Sequence, residues 1–300
     1  MHSVLVYHTI SAPADPLPGD IDISPERFGR QLRWLERWGR VARLYETLHA
    51  PERDRLTAIT FDDGYRDTLT VALPLLEKYQ LPITLFVIAG FLGRDGYLSP
   101  DELREISKHP LVTIGAHGLW HRHFTRLTVD ETRFELIESR RLLSAITESP
   151  VDLLAWPFGD CNEHLERLSK ECGYRASWSV WKGANTTHSR WRVPLGRRDN
   201  MVKFIAKASG AYALTKARWH RARDQKSEIR GRKSEIRGQK SEIRGQKSEV
   251  RGQKSEVRGQ KSEVRGQRSE VRGQRSEVRG QRSEIRDQKS GREEQLVTDL

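Results

Sequence analysis

The sequence predicts an α/β fold, a (β/α) barrel that is followed by a low-complexity tail. Apolar runs of strand length alternate with amphipathic helical stretches at least five times, which favours parallel βαβ units. Unusual polar residues directly follow several of the apolar runs, as expected when strand ends meet on one face of a barrel. The composition changes abruptly near residue 224, after which the chain has no aromatic residue. An open doubly wound sheet is the alternative arrangement of the same elements.

The first half of the chain supplies three strands, at residues 4–7, 56–61 and 83–88. Ser24 and Pro25 form a helix start between the first two strands, with serine as the N-cap and proline at the first helical position. A helix is also expected over residues 68–79, where Pro74 marks a kink or a late start. The unbroken apolar run at 83–88 indicates a strand that is buried on both faces.

The second half continues the alternation with strands at residues 111–114, 151–155 and 175–180. Ser99 with Glu102 and Thr128 with Glu131 are capping boxes, and each opens a helix. Another helix is expected over residues 162–172. Five positions follow the apolar runs directly and are expected on one barrel face: His8, Asp62, Asp63, His117 and Pro157.

The composition change divides the chain into a folded domain, residues 1–215, and a basic repeat tail, residues 216–300. From residue 225 the tail repeats Gln-Lys/Arg-Ser-Glu-Ile/Val-Arg-Gly, and residues 225–300 carry +8 of the net charge of +12. One apolar residue in seven is too few for a coiled coil, and each glycine costs about 1 kcal/mol against helix. The tail is therefore predicted to be disordered, with weak, salt-dependent contacts to anionic partners and no specific binding of nucleic acid.

Targeting and redox signals are sparse. The chain shows no secretory signal and no apolar run long enough for a membrane span, which predicts a cytoplasmic protein. A misassigned start codon would hide an export signal. Cys161 and Cys172 are too few for a disulfide framework and are expected to be isolated buried thiols.

The motif with the most chemical content is the pair Asp62-Asp63, which precedes Gly64. Adjacent carboxylates resist burial unless a metal or a proton separates their roles, although a polar turn is the plain alternative. His117 and His121 are four residues apart, so both imidazoles fit one side of a helical turn. With one carboxylate they make a three-ligand site that leaves a position open for water, the layout of a catalytic metal site. Zn²⁺ is the first candidate, and Co²⁺, Ni²⁺ and Fe²⁺ also suit these ligands.

The motifs TFDDGY, IGAHGLWH and AWPFGD, with the opening VLVYH, resemble the polysaccharide deacetylase family, the NodB-homology domain of carbohydrate esterase family 4. The resemblance covers roughly residues 3–200 and implies a distorted (β/α)7 barrel. It further implies a metal-dependent hydrolase that removes N-acetyl groups from an amino-sugar saccharide. The implied roles are general base for Asp62, metal ligands for Asp63, His117 and His121, and an oxyanion contact from the backbone N–H of Phe158 after Pro157.

Two departures from the family pattern leave the reaction incomplete. Ala155 stands where the family often has an arginine that supports the catalytic aspartate, and Arg197 is a candidate substitute. The late Leu-x-His motif of the general acid is not visible. His8 is a candidate for lining the site; the other histidines considered for the acid are His123, His188 and His220. The alternatives are a deacylase or deformylase of another small or lipid-linked N-acyl sugar, and a catalytically weak barrel that only binds saccharide.

Overall fold

The computed structural model describes residues 2–11, 20–181 and 185–297. All strand pairs of its one eight-stranded sheet are parallel, in the order β7-β6-β5-β4-β3-β2-β1-β8. The strands are β1 (Ser3–Tyr7), β2 (Thr57–Phe61), β3 (Ile83–Val87), β4 (Val112–Ala116), β5 (Leu153–Ala155), β6 (Ala176–Ser179), β7 (Arg190–Trp191) and β8 (Val193–Pro194). The two edge strands are consecutive in the chain and only Arg192 lies between them, so the sheet is a nearly closed barrel. The predicted distorted α/β barrel is confirmed.

The helices lie between the strands as the sequence predicts. They are α1 (Pro25–Trp38), α2 (Leu73–Tyr79), α3 (Pro100–Ser107), α4 (Val129–Thr147), α5 (Glu163–Glu171), α6 (Met201–Ala208) and α7 (Ala211–Val297). The side chains of Ser24, Ser99 and Thr128 cap α1, α3 and α4, and the two predicted capping boxes are present. Before α2 the chain makes a π-helical turn at Thr68–Ala72, because Pro74 has no N–H for the regular bond to the preceding turn.

The strand register aligns the ends of the central strands. Tyr7 pairs with Phe61, Phe61 with Leu85, and Val87 with Ala116. The residues that come directly after β1, β2 and β4 therefore emerge at the same edge of the barrel. This edge carries His8, Asp62, Asp63 and His117.

Two apolar layers hold the barrel. The outer layer lies between the strands and the helices, where Tyr7, Phe28 and Phe61 pack with ring centroids 5.2–5.9 Å apart. The inner layer combines large rings, Phe86 and Trp178, with small alanines at positions that include Ala155. The small residues leave interior space for one long side chain, and Arg192 occupies it with its guanidinium 5.2 Å from the Phe86 ring centroid.

Cys161 and Cys172 are free and buried, as predicted. Among the residues that the structure describes, no helix combines the length and the apolar character that crossing a bilayer requires.

The repeat tail differs from the prediction of disorder. The chain divides into two compact units, Met1–His220 and Arg221–Leu300, and the repeats belong to helix α7. Side chains over residues 233–284 are exposed, so burial does not hold this helix. Gln, Lys, Arg and Glu, which dominate each repeat, have high intrinsic helix propensity, and in the structure this preference outweighs the cost of the repeated glycine.

Candidate metal centre

The barrel edge brings together three side chains that can bind a cation. Asp63 follows β2, His117 follows β4, and His121 lies four residues later in the same loop. Their donor atoms all lie within 4.8 Å of one another. The Nε2 atoms of His117 and His121 are each 3.5 Å from Oδ1 of Asp63. The three residues that the sequence singles out as ligands thus form one cluster.

The donor set fits a divalent cation. Among the described residues, none donates a hydrogen bond to Oδ1 of Asp63, although this atom is buried. Nδ1 of His117 lies 2.8 Å from the carbonyl oxygen of Ala155. Donation to that carbonyl fixes the tautomer and leaves the lone pair of Nε2 directed at the cluster, as in many metal-binding histidines. A cation would satisfy the orphaned carboxylate oxygen and both imidazoles together.

The electrostatics of the cluster favour a cation over protons on the histidines. Burial lowers the pKa of His117 to about 3 and that of His121 to about 4, so both rings are neutral near pH 7. Burial and the neighbouring charge of Asp62 raise the pKa of Asp63 to about 7. Near neutral pH, Asp63 is therefore the ligand at which a proton competes with a cation.

Two of the ligands have backbone conformations that are rare for residues with side chains. Asp63 has φ of 73° and His121 has φ of 54°, both in the left-handed region. Gly64, with φ of 82°, has no such penalty, and a Cβ there would meet Cγ1 of Val87 at 3.1 Å. Backbone strain of about 1–3 kcal/mol per residue clusters at functional sites, where the surrounding structure imposes it.

The loop between His117 and His121 is held from both sides. The backbone N–H groups of Ala89 and Gly90 donate to the carbonyls of Gly118 and Leu119. From α4, the buried carboxylate of Glu135 accepts hydrogen bonds from the N–H groups of Leu119 at 2.8 Å and Trp120 at 3.0 Å. The sequence analysis missed Glu135, because its spacing on the helix gives no sign that it is buried.

Asp62 is bound by Arg192, which the sequence analysis also missed. Nη1 and Nη2 of the fully buried guanidinium lie 2.6 and 2.8 Å from the two carboxylate oxygens. Burial raises the pKa of Asp62, but the charge of Arg192, assisted by His117, outweighs it and lowers the pKa to about 2. Asp62 is therefore ionised throughout the ordinary pH range, with Oδ2 3.8 Å from Nε2 of His117.

Arg197, the candidate substitute for the missing arginine, lies elsewhere. Its guanidinium pairs with Asp20 at 3.0 Å and Asp22 at 3.3 Å. Arg192, five residues earlier, contacts Asp62 instead, because it follows β7 and its side chain points into the barrel. The available sequence signal was a charged residue flanked by Trp191 and Val193 in a strand-like segment.

His8 lies in the site. It follows β1, next to the strand that carries Asp62, and its electrostatic neighbours are Asp62 and Arg192. Burial lowers the pKa of His8, and its buried Nδ1 has no hydrogen-bond partner among the described residues. The resting imidazole is therefore neutral, and it is an electrostatic neighbour of the carboxylate that the family resemblance assigns as the base.

Phe158 lies at the rim of the site, in the 3₁₀ turn Pro157–Gly159. It has φ of 58°, and its ring is 49% exposed. The ring centroid lies 4.5 Å from that of His121 and 3.8 Å from that of His123, which it stacks against.

The other histidines considered for the general acid lie outside the cluster. Nδ1 of His123 is 2.7 Å from Asp160, and Nδ1 of His188 is 2.9 Å from Ser169. The side chain of His220 is outside the described residues.

Comparisons with known proteins agree with the motifs. Residues 49–177 match the family model for polysaccharide deacetylase. The peptidoglycan-N-acetylglucosamine deacetylase of Bacillus cereus is 28% identical over 138 residues, which cover 46% of this chain and 62% of that protein. The poly-beta-1,6-N-acetyl-D-glucosamine N-deacetylase of Staphylococcus aureus is 24% identical over 188 residues, 56% of this chain and 64% of that protein. The chain thus spans less than two thirds of the length of these relatives.

A solved structure shows the same fold. The Streptococcus pyogenes deacetylase determined in complex with acetate superposes with a TM-score of 0.62 at 21% identity. The alignment covers 69% of this chain and 97% of that one.

Proposed function

Because this chain belongs to the polysaccharide deacetylase family, we propose that it hydrolyses the N-acetyl amide of an amino-sugar saccharide with the aid of one divalent cation. The observation that carries the proposal is the buried cluster of Asp63, His117 and His121 beside an ionised Asp62. Zn²⁺ is the first candidate for the cation, since one carboxylate and two imidazoles are typical zinc ligands. A module that only binds saccharide has no need for all four residues.

In the proposed reaction, Asp63, His117 and His121 hold the cation. When bound, a cation of this kind supplies Lewis acidity, which polarises the amide carbonyl and lowers the pKa of a water molecule. The carboxylate of Asp62 accepts the proton of the attacking water. Arg192 holds both oxygens of that carboxylate, so its task is to keep Asp62 ionised and oriented.

Collapse of the tetrahedral adduct requires a proton for the leaving amine. We assign this transfer to His8, whose half-buried imidazole has Asp62 as an electrostatic neighbour. Because the resting ring is neutral, it must first take up a proton, and Asp62 has one to give after the attack. The backbone N–H of Phe158 is proposed as a donor to the oxyanion, as the family resemblance implies.

The substrate is proposed to be an N-acetylglucosamine unit. The names of the two relatives assign them to peptidoglycan N-acetylglucosamine and to poly-beta-1,6-N-acetyl-D-glucosamine. Both substrates contain the same amide on the same sugar, and they differ in what the sugar is attached to. An enzyme that removes a different acyl group from a related sugar is the alternative within the same chemistry.

Acetate release from N-acetylglucosamine oligomers tests the proposal. We expect release by the wild type, loss on chelation and recovery with Zn²⁺. Asp62→Asn should lower the rate by about 10²–10⁴-fold, the usual contribution of a general base, while the protein still binds Zn²⁺. Asp152→Asn, which alters a carboxylate paired with Arg175 at the surface, is the matched control and should retain the wild-type rate.

Release that survives both the chelator and Asp62→Asn would overturn this mechanism. An enzyme that is folded and zinc-loaded but releases no acyl group from any N-acyl sugar would overturn the proposed function itself.

A further inference from the structure

Trp120 is a large aromatic side chain exposed beside the candidate metal centre. It directly precedes His121, and 47% of its surface is accessible. A single exposed hydrophobic residue is common on protein surfaces and carries no meaning by itself. Trp120 differs from such residues in two respects: its indole ring is packed on one side, and it lies next to the candidate metal ligand His121.

The indole ring is fixed on its inner side. Gly90 lies under it so closely that a Cβ on that glycine would be 2.5 Å from Cζ3 of the indole. The guanidinium of Arg94 lies 5.7 Å from the indole centroid, and Glu135 accepts a hydrogen bond from the backbone N–H of Trp120. One part of the ring is therefore packed against protein while the rest remains open, and little entropy is left to lose on binding.

Arg94 links this ring to further aromatic side chains, which lead to the turn that carries Asp63. Arg94 also lies over Phe91 at 4.1 Å, and Phe91 meets Tyr97 edge-on at 5.3 Å. Tyr97 stacks on Tyr65 at 4.9 Å, and Tyr65 lies two residues after Asp63 in the same turn. This aromatic row thus joins the turn of one metal ligand to the loop of another.

The row has the chemistry of a saccharide-stacking surface. A pyranose ring has apolar C–H faces and a belt of hydroxyls, and it is matched by a flat aromatic face with polar groups at its margin. Trp120 supplies the open face, while Arg94 and the tyrosine hydroxyls supply hydrogen-bonding groups nearby. The half-buried rings of Phe91 and Tyr97 act as support beneath this surface.

We propose that Trp120 is the contact of an auxiliary subsite, which stacks on a sugar unit adjacent to the one that loses its acetyl group. This inference rests on the proposed function and deepens it. It makes the enzyme specific for a chain of sugars over a single sugar, since only a chain occupies the metal centre and the subsite together.

The test compares N-acetylglucosamine with its β-1,4-linked tetramer as substrates. In Trp120→Ala, the ratio of kcat/KM for tetramer to kcat/KM for monomer is expected to fall about tenfold, as the loss of one aromatic contact implies. Trp120→Phe should restore most of that ratio, because it restores an aromatic face. Phe134→Ala removes an aromatic ring of α4 that is 58% exposed, and it should leave the ratio at its wild-type value.

A binding measurement separates this inference from the proposed function. Tetramer binding to the Asp62→Asn protein is measured by calorimetry with and without Trp120→Ala, and the subsite predicts about tenfold weaker binding in the double variant. Weaker binding of the tetramer to the double variant, together with no hydrolysis by the wild type, would support the subsite and refute the proposed deacetylase activity. Hydrolysis with an unchanged tetramer-to-monomer ratio in Trp120→Ala would refute the subsite alone.

Discussion

Replacing Arg192 by methionine removes the cation that pairs with the buried carboxylate of Asp62. The guanidinium is fully buried and makes two charge-assisted hydrogen bonds to the carboxylate. Loss of one partner from such a pair costs about 3–5 kcal/mol, because the other charge stays buried and uncompensated. For a domain of about 150–250 residues, each kcal/mol lowers Tm by about 2–4 °C, so the variant should melt about 6–20 °C below wild type.

The pH dependence of this loss is set by the direction of the pKa shift. In the wild type, the pKa of Asp62 is lowered to about 2, so its contribution to stability is present above the unfolded value of about 3.9. This stabilisation is lost only as the pH falls through the pKa that Asp62 has in the folded protein, about 2. Without Arg192, burial raises the pKa of Asp62. Protonation of Asp62 then removes the uncompensated buried charge in the variant. The Tm difference between the wild type and Arg192→Met should therefore shrink as the pH is lowered from about 8 to about 5.

Thermal unfolding of the metal-free protein, followed by circular dichroism across that pH range, measures both effects. Arg175→Met is the matched control, since its pair with Asp152 lies at the surface and is worth about 0–1 kcal/mol. Arg192→Lys keeps the charge but loses the bidentate contact with the carboxylate. Its Tm should lie between those of the wild type and Arg192→Met. A wild-type Tm for Arg192→Met, or a Tm loss that does not change with pH, would refute the reasoning.

Three further predictions concern the cation and the tail. Because the pKa of Asp63 is raised to about 7 while both imidazoles are neutral, apparent Zn²⁺ affinity should rise about tenfold per pH unit and level off above about pH 7. A competition titration in which the Zn²⁺ affinity does not change with pH would contradict this prediction. Glu135→Gln removes the charge that holds the loop before His121 and should weaken Zn²⁺ binding about 10–100-fold, whereas Glu138→Gln on the same helix should not. Deleting residues 225–300 should leave Tm and acetate release unchanged. A large loss of either would show that the tail has a function in stability or activity. Salt-sensitive DNA binding that vanishes on deletion would show instead that the tail binds nucleic acid.

Local patterns were sufficient to predict most of the barrel and the cluster of candidate metal ligands. The strands are apolar runs of ordinary length, and parallel pairing brings the residues at their carboxyl ends to one edge. Asp63 and His117 therefore meet without further information. The spacing of His117 and His121 added the third ligand.

The residues that sequence reasoning missed depend on contacts between distant parts of the chain. Arg192 reaches Asp62 across 130 positions, from between two strands of two residues each, which are too short to show periodicity. Glu135 looks like any other helical glutamate until α4 is packed against the loop. In the tail, helix propensity and the glycine penalty oppose each other, and the choice between helix and disorder is a small difference between them.

The closure of the barrel and the ionised state of Asp62 depend on the same residue, Arg192. Trp191 ends one edge of the sheet and Val193 begins the other, so a fluctuation that parts β8 from β1 also draws Arg192 away from Asp62. Amide hydrogen exchange along this seam and the protonation of Asp62 should therefore report one common opening equilibrium. Opening of the sheet at this point would therefore change the protonation of Asp62.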